Sequence, residues 1–346
     1  MAGLDGLRGI AACVVAFGFH IHNFYPPGAF TPAWGGIAGI WMDRFGWTAV
    51  DLFFVLSGFV FAHVNLSQPQ AMKLPGALRA FWVSRIARLY PLHILMLVIT
   101  ASLFWQEPNN KLSAFVANVF MVQGFVAIDS FDGPSWSISV EFACYAVFAA
   151  AARQGMTAVR LAAIIGVACG AAGVVLAGNL VEHTVLGDVS RGALGFFAGQ
   201  MLWLIRGFLI MVPTVAFAAL SAGLVTAAWF AGDAGRGMIL LLSLGAWPAL
   251  IMVALRSSLC ASPALVWLGD RSYAIYLINM PLVFFIAYST GGLAEDRISI
   301  LAAQILLVAA NLALADLVYR HFELPMQRAV QRQFARHSTV RWASPA

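Results

Sequence analysis

Four polar side chains stand in apolar stretches of this chain, where they could do chemistry at membrane depth. Glu141 and Asp51 each lie within an apolar run long enough to enter a bilayer, and His20 and His22 lie near the end of the first such run. A carboxylate at the centre of a bilayer costs roughly 3 kcal/mol on insertion scales, so such residues usually have a function. Groups of these types transfer protons, as acids and bases in an enzyme or as a relay in a transporter.

Composition places the chain among membrane proteins. Hydrophobic residues make up 61% of the sequence and charged residues only 10%, against about 25% charged residues in a soluble domain. We therefore expect an all-α fold, a polytopic bundle of membrane-spanning helices. We expect no cleavable signal peptide, because the first apolar run is not followed by a cleavage site and a soluble domain.

The cysteines and the basic residues do not indicate a metal site or a nucleic-acid partner. The net charge of +5 comes from basic residues at the ends of apolar runs, where membrane topology uses them. The four cysteines lack the spacing of metal ligands, and we expect them to be packing residues: Cys13, Cys144, Cys169 and Cys260. We therefore expect neither a bound metal nor nucleic acid.

Apolar runs of about 20 residues predict ten transmembrane helices. They cover residues 9–25, 46–65, 89–106, 136–152, 158–178, 189–206, 208–231, 237–255, 272–289 and 298–320. A further, weaker run covers residues 112–127.

The basic residues decide whether the weaker run crosses the membrane. If 112–127 does not cross and the N-terminus is cytoplasmic, most Lys and Arg residues fall inside and most acidic residues fall outside, as the positive-inside rule requires. If it did cross, every later loop would change sides and the rule would be inverted. We therefore predict about ten spans with both termini cytoplasmic. Residues 107–135 would form an outer segment that lies on the membrane or dips into it.

The rise of a helix sorts the candidate groups into two layers. His20 lies 12 residues beyond Arg8, which places it about 18 Å deeper and past the membrane midplane. Asp51 and Glu141 fall in the outer halves of their helices, because both helices start outside. The arginines before the third predicted helix lie at its cytoplasmic mouth. The layout therefore has proton-transfer groups in the outer half and cations at the inner side.

Short motifs along essentially the whole chain resemble those of the acyltransferase 3 family of integral membrane acyltransferases. Each motif alone is weak, but their order and spacing together are specific. They are LDGLRGIAA at 4–12 followed by His20, VDLFFVLSGF at 50–59, RIARLYP at 85–91, PSWSISVE at 134–141, LGDRSYAIYL at 268–277 and ELP at 323–325.

The resemblance implies a reaction, a donor and a location. Such a protein is a multi-pass protein of the bacterial cytoplasmic membrane that transfers an acyl group, commonly acetyl, to a sugar hydroxyl on the outer side. The implied donor is acyl-CoA, commonly acetyl-CoA, which enters from the cytoplasm. No bound cofactor is implied. The implied partners are membrane lipid, acyl-CoA and a carbohydrate or lipid-linked sugar acceptor.

The resemblance also assigns catalytic roles. His20 would be the general base, because a hydroxyl that attacks a thioester needs a base that titrates near neutral pH. Glu141 would orient the imidazole and stabilise its charged form, as in a His–acid dyad. Asp51 is a further catalytic candidate at a similar depth.

The binding roles fall on two other groups. Arg8, Arg85 and Arg88 would bind the donor, because the guanidinium fork matches the phosphate oxygens of CoA. Trp136 and Ser137 would line the acceptor pocket.

The position of the histidine departs from the family pattern. The usual offset from the arginine would place the histidine at Phe19, so His20 comes one residue late. One residue turns a helix by about 100°, so either Gly18 permits a local bulge or the helix is rotated. His22 is then an alternative base.

Two further positions depart from the family pattern. Phe142 stands where the family often has a second acidic residue. Asn279 stands where many members carry a histidine before the proline, here Pro281. The resemblance therefore assigns no role to this position.

Two other functions stay open at this point. A proton-coupled secondary transporter could use Glu141, Asp51 and histidine as a relay, although it would be expected to show an internal repeat, which this sequence lacks. A non-catalytic, flippase-like partner could be built on the same bundle. In either case we expect a transmembrane domain at 1–326, a basic cytoplasmic tail at 327–346 and no soluble SGNH-type domain after the bundle.

Overall fold

The fold is a bundle of α-helices. A computed structural model describes residues 1–20, 36–68, 70–126, 131–230, 235–289 and 297–335. No strand occurs in these ranges, which confirms the predicted all-α membrane fold. The α-helices are α1 Ala2–Cys13, α2 Gly36–Phe45, α3 Ala49–Leu66, α4 Ala77–Phe104, α5 Leu112–Val119, α6 Trp136–Gln154, α7 Met156–Leu176, α8 Val185–Ile205, α9 Thr214–Phe230, α10 Arg236–Leu241, α11 Trp247–Ala254, α12 Pro263–Ser289, α13 Arg297–Val318 and α14 Leu324–Ala335.

The long helices coincide with the apolar runs of the sequence. Eight helical segments of the described chain are long and apolar enough to cross a membrane: Ala2–Phe19, Gly39–Leu66, Ala77–Phe104, Gly133–Gln154, Met156–Leu176, Val185–Leu209, Arg236–Ala254 and Ala302–Phe334. The two remaining predicted runs correspond to α9, an apolar helix of 17 residues, and α12, a helix of 27 residues.

The weaker apolar run forms only a short helix. With 8 residues, α5 rises about 12 Å, which is too little to cross a hydrocarbon core about 30 Å thick. Leu112, Val116 and Phe120 follow one another at intervals of one helical turn, and all three are exposed. An exposed apolar stripe of this kind suits a segment that lies in the membrane surface.

Glycines allow the helices that carry the site to pack closely. At Gly9 of α1, a Cβ atom would lie 2.6 Å from the backbone nitrogen of Gly269 in α12. At Gly199 of α8, it would lie 1.9 Å from the carbonyl oxygen of Val55 in α3. Because real Cβ atoms do not approach so closely, a larger residue at either position would push the paired helices apart.

In the part of the chain that the structure describes, three segments are π-helical: Val14–Phe19, Leu242–Ala246 and Tyr319–Glu323. The first contains Gly18 and ends immediately before His20. It is the local bulge that the late histidine predicts, because a π-turn accommodates one extra residue without rotating the rest of the helix. The late histidine therefore enters the bundle interior.

Candidate active site

A cavity of about 410 Å³ lies at the end of the bundle that holds His20. The loops around it are those before α6 and before α8, which the charge distribution predicts to be outside. Apolar and aromatic side chains form most of its wall. The lining residues used below are His20, Trp47, Glu107, Trp136, His183, Arg191 and Tyr276.

His20 is buried and oriented by an amide. Its Nδ1 lies 2.8 Å from Oδ1 of Asn279 on α12. A carbonyl oxygen only accepts hydrogen bonds, so Nδ1 donates, and in the neutral imidazole Nε2 is then the unprotonated nitrogen that a general base requires. The expected orienting partner was the carboxylate of Glu141, and the structure gives Nδ1 to Asn279 instead. The alternative base, His22, lies outside the described residues.

Asp51 is held in a buried ion pair. Arg191 of α8 donates to both of its carboxylate oxygens, over 3.1 Å from Nε and 2.9 Å from Nη2. The Asp51 side chain is 0% exposed and that of Arg191 is 3% exposed. The guanidinium carbon lies 4.6 Å from the ring centre of Trp47 and 5.1 Å from that of Trp136. Arg191 lines the cavity, whereas Asp51 lies behind it.

Of the two predicted acceptor-binding residues, one lines the cavity and the other supports a lining side chain. Trp136 lines the cavity. The Ser137 hydroxyl oxygen lies 3.2 Å from the hydroxyl oxygen of Tyr276. The Tyr276 hydroxyl donates to the carbonyl oxygen of Pro134 over 2.8 Å. Tyr276 itself lines the cavity, so Ser137 fixes a lining side chain from behind.

The cavity also contains a histidine–carboxylate pair that the sequence did not indicate. His183 Nδ1 lies 3.2 Å and 3.3 Å from the two carboxylate oxygens of Asp188. The His183 ring centre lies 5.2 Å from that of Trp136. Because these residues precede and begin α8, they look in the sequence like ordinary loop charges. In the sequence, only their spacing of five residues could have indicated that they form a pair.

Glu141 belongs to a second polar cluster. It hydrogen-bonds to Tyr145, one turn further along α6, and interacts electrostatically with Arg8 and Arg85. The Tyr145 hydroxyl also lies 3.3 Å from that of Ser57. Glu141 is not among the residues that line the cavity. The predicted catalytic set is therefore divided between two places in the bundle.

The arginines predicted to bind the donor surround Glu141. Arg8 is paired with Asp5 over 3.1 Å and interacts electrostatically with Arg88. The guanidinium of Arg85 lies over the ring of Phe61, 4.7 Å from its centre, and its buried Nε has no hydrogen-bond partner. The three guanidinium groups thus lie near one another, and the carboxylates of Asp5, Glu141, Asp270 and Glu323 interact with them. The unpartnered Nε of Arg85 is the donor that favours an anionic ligand.

A carboxyl group beside the cavity lacks partners. Asp132 is 2% exposed, and neither of its carboxylate oxygens has a hydrogen-bond partner. Burial raises the pKa of this carboxyl well above its usual range, because the charged form would be poorly solvated. Its neighbours Phe131 and Gly133 line the cavity.

The two clusters offer different chemistry. The outer cavity combines an oriented imidazole with aromatic walls, and the inner cluster combines arginines and carboxylates with an unpartnered guanidinium Nε. Within the described ranges, no three His, Cys, Asp or Glu residues come together as metal ligands would. The described side chains therefore suit proton transfer at one end and anion binding at the other.

Comparison with known proteins identifies the family. The sequence model of an acyltransferase domain, Acyl_transf_3, matches residues 1–320. The acyltransferase MdmB of Streptomyces mycarofaciens is 32% identical over 158 residues, which cover 43% of this chain and 38% of that protein. The peptidoglycan O-acetyltransferase OatA of Listeria monocytogenes is 26% identical over 373 aligned positions, which cover 94% of this chain and 55% of that protein.

The match covers almost all of this chain but only about half the length of the Listeria relative. No solved structure matches it significantly. The family match extends over nearly all of the helices described above and confirms the resemblance of the sequence motifs. The chain belongs to the acyltransferase 3 family.

Proposed function

We propose that the protein is a membrane-bound O-acyltransferase. It moves an acyl group, acetyl in the simplest case, from acyl-CoA on the cytoplasmic side to a hydroxyl of a carbohydrate or glycolipid on the outer side. The name of the Listeria relative, a peptidoglycan O-acetyltransferase, supports a sugar acceptor of the cell envelope.

The observation that carries this proposal is the pairing of two unlike clusters within one bundle. Arg8, Arg85 and Arg88 offer cations to the phosphates of CoA at the inner end. His20, held by Asn279, offers an unprotonated Nε2 in the outer cavity. A thioester that reaches from the first cluster toward the second would meet an acceptor hydroxyl beside the base.

The reaction balances with these groups. The acceptor oxygen attacks the thioester carbonyl carbon while Nε2 of His20 takes the hydroxyl proton. The carbon–sulfur bond then breaks, and the proton passes to the CoA sulfur, so that the products are an ester and free CoA thiol. Asn279 keeps the imidazole in the tautomer that accepts this proton.

The remaining predicted residues have supporting roles in this proposal. Glu141 positions Arg8 and Arg85 at the donor end. Asp51 neutralises and fixes Arg191 in the cavity wall. Trp136 forms an acceptor-facing wall, and Ser137 supports Tyr276.

The location and topology follow from the same proposal. We infer ten crossings, both termini in the cytoplasm and residence in the cytoplasmic membrane of a bacterium. Residues 1–326 form the acyltransferase domain. Residues 327–346 form the cytoplasmic tail, whose first part is the end of α14, next to α4.

An assay with radiolabelled acetyl-CoA tests the activity. The protein is purified, placed in lipid nanodiscs and mixed with peptidoglycan fragments or other envelope glycans. We expect label in the glycan fraction, and His20→Ala should lower its rate of appearance by about 10²–10⁴-fold. Proton-coupled movement of a solute by reconstituted protein, without acyl transfer, would favour the transporter instead.

A further inference from the structure

The arginine of the outer cavity is already paired with a carboxylate. Its charged lining residues, within the described part of the chain, are Glu107 and Arg191, together with the histidines. Arg191 gives Nε and Nη2 to the two oxygens of Asp51, and indole rings lie near its guanidinium. A negatively charged ligand would therefore enter a largely apolar cavity without an uncompensated cation to receive it, which is costly.

The donor end has the opposite character. Arg8, Arg85 and Arg88 lie near one another there, and the buried Nε of Arg85 has no hydrogen-bond partner. The bundle thus has one end with an unpartnered guanidinium N–H, which suits a phosphate, and one end whose arginine is already paired. This contrast argues that the acceptor is uncharged where it enters the outer cavity.

His183 supplies the polar contact that an uncharged acceptor needs. Its Nδ1 faces both oxygens of Asp188, so Nδ1–H is donated to the carboxylate, and in the neutral imidazole Nε2 is left as an acceptor for a hydroxyl. The His183 side chain is 32% exposed and that of Asp188 is 3% exposed, which leaves the imidazole accessible on a rigid support.

The neighbouring indole completes a surface for a sugar ring. Trp136 lies beside His183, with ring centres 5.2 Å apart, and both line the cavity. A sugar ring has an apolar C–H face and a rim of hydroxyls. The indole of Trp136 suits the C–H face, and the imidazole of His183, held by Asp188, suits the hydroxyls.

We propose that His183, positioned by Asp188, is a specificity-determining residue that binds an uncharged sugar ring against Trp136 in the outer cavity. This inference rests on the proposed function, since it names the acceptor class of the same site. Asp188 acts through His183 and is a positioning residue. Neither takes part in the proton transfer assigned to His20.

Binding measurements with defined oligosaccharides test the charge preference. The protein in nanodiscs is titrated calorimetrically with the neutral tetramer of N-acetylglucosamine and, separately, with the anionic tetramer of galacturonic acid. We expect the neutral tetramer to bind at least tenfold more tightly. Absence of binding by the neutral tetramer, or equal or tighter binding of the anionic one, would overturn the proposal.

Variants test the role of His183. His183→Gln should weaken binding of the neutral tetramer about tenfold, and Asp188→Asn should weaken it to a smaller extent. In transfer assays with this acceptor, His183→Gln should raise KM and leave kcat nearly unchanged. Glu182→Gln is the control, because Glu182 is an exposed neighbour in the same loop and is not among the lining residues.

Acetyl-CoA binding distinguishes a failure of the proposed function from a failure of the role of His183. If wild-type protein neither binds acetyl-CoA nor transfers acetyl groups, the proposed function itself is wrong. If His183→Gln binds acetyl-CoA normally and also keeps wild-type affinity for the neutral tetramer, the role of His183 is wrong. A fall in kcat with unchanged KM would likewise overturn it, since that result belongs to a residue of the proton transfer. Equal thermal unfolding temperatures of variant and wild type verify that the fold is retained.

Discussion

The hydrogen bond between Asn279 and His20 orients the proposed base without placing a second charge beside it. A carboxylate in this position would stabilise the imidazolium, whereas a neutral amide fixes the tautomer and the ring plane only. Asn279 is completely buried, so the bond is protected from competition with water. The amide thus contributes chiefly to the geometry of proton transfer.

Asn279→Leu should lower kcat while preserving the packing volume. A hydrogen bond between neutral groups contributes about 0.5–1.5 kcal/mol, which corresponds to a loss of about 2- to 13-fold in rate. The measurement is the initial rate of acetyl transfer at saturating acetyl-CoA. Asn311→Leu is the matched control, because Asn311 is also completely buried and bonds to a backbone carbonyl, that of Ile275. Equal rates for both variants would assign Asn279 to packing alone.

Asp132 predicts how stability depends on pH. Its pKa in the folded protein is raised above that of an unfolded chain, about 3.9. The folded protein therefore holds a proton that the unfolded chain has released, so this residue lowers stability as pH rises above about 4, by at most about 1.4 kcal/mol per pH unit. Asp132→Asn removes that dependence.

Thermal unfolding in detergent between pH 4 and pH 7 checks this prediction. The unfolding temperature of Asp132→Asn should exceed that of wild type by an amount that grows with pH. A difference that stays constant over the range would mean that the carboxyl is not neutral in the folded protein.

The residues that sequence analysis found and missed differ in the range of their contacts. His20 and the arginines stand in local motifs, and counting residues along one helix offered a bulge before His20 as one of two alternatives. The partner of His20 lies 259 positions away, and no local pattern predicts such a contact. Arg191 stands near the start of a predicted helix, where an arginine is usually a topology signal; its burial depends on packing against α3.

At the scale of elements, helix pairs bring the site together. Packing of α1 against α12 joins His20 to Asn279, and packing of α3 against α8 joins Asp51 to Arg191. Apolar run lengths predicted these helices well, because the hydrocarbon thickness sets a required length. Which helices become neighbours was not predictable, since apolar faces in a membrane lack the one-sided pattern that identifies a buried face.

Breaking the ion pair between α3 and α8 should destabilise the bundle strongly. Arg191→Met leaves the carboxylate of Asp51 buried and unpaired, at a cost of about 3–5 kcal/mol. The double variant Arg191→Met with Asp51→Leu removes both charges and should recover most of that loss. The unfolding temperatures of the single and double variants in detergent measure the difference. A double variant no more stable than Arg191→Met would show that the charges are not the cause.

The arginines of α4 should determine the affinity for the donor. Arg85→Ala or Arg88→Ala should each weaken acetyl-CoA binding by about 1.5–3 kcal/mol, the contribution of a charge-assisted hydrogen bond. Lysine at either position should restore only part of the affinity, because it lacks the guanidinium fork. Equilibrium binding of radiolabelled acetyl-CoA provides the measurement.

Arg79→Ala is the control for the donor site. Arg79 lies on the same helix, near its start, where its guanidinium packs over Phe334 of α14. Its loss should leave acetyl-CoA affinity unchanged. If all three variants weaken binding equally, the effect comes from the general positive charge of the cytoplasmic face.

At the scale of the whole molecule, the proposed function requires the bundle to separate donor and acceptor across the membrane. The inner cluster and the outer cavity lie along the same helices, since α6 carries both Trp136 and Glu141. The sequence predicted this two-layer layout from helix rise and charge, but placed Glu141 with the histidine. The two layers lie only a few residues apart along α6. The rise of the helix alone therefore does not predict which layer a given side chain belongs to.

A sided vesicle assay tests the central claim most directly. Purified protein is reconstituted into sealed vesicles, and the fraction in each orientation is measured by proteolysis of a tag at the C-terminus. A membrane-impermeant glycan acceptor is enclosed, and radiolabelled acetyl-CoA is added outside. Molecules whose cytoplasmic face points outward should label the enclosed glycan, and His20→Ala vesicles should label it about 10²–10⁴-fold more slowly. Labelling only when acetyl-CoA and glycan share one side of the membrane would contradict transfer across the bundle.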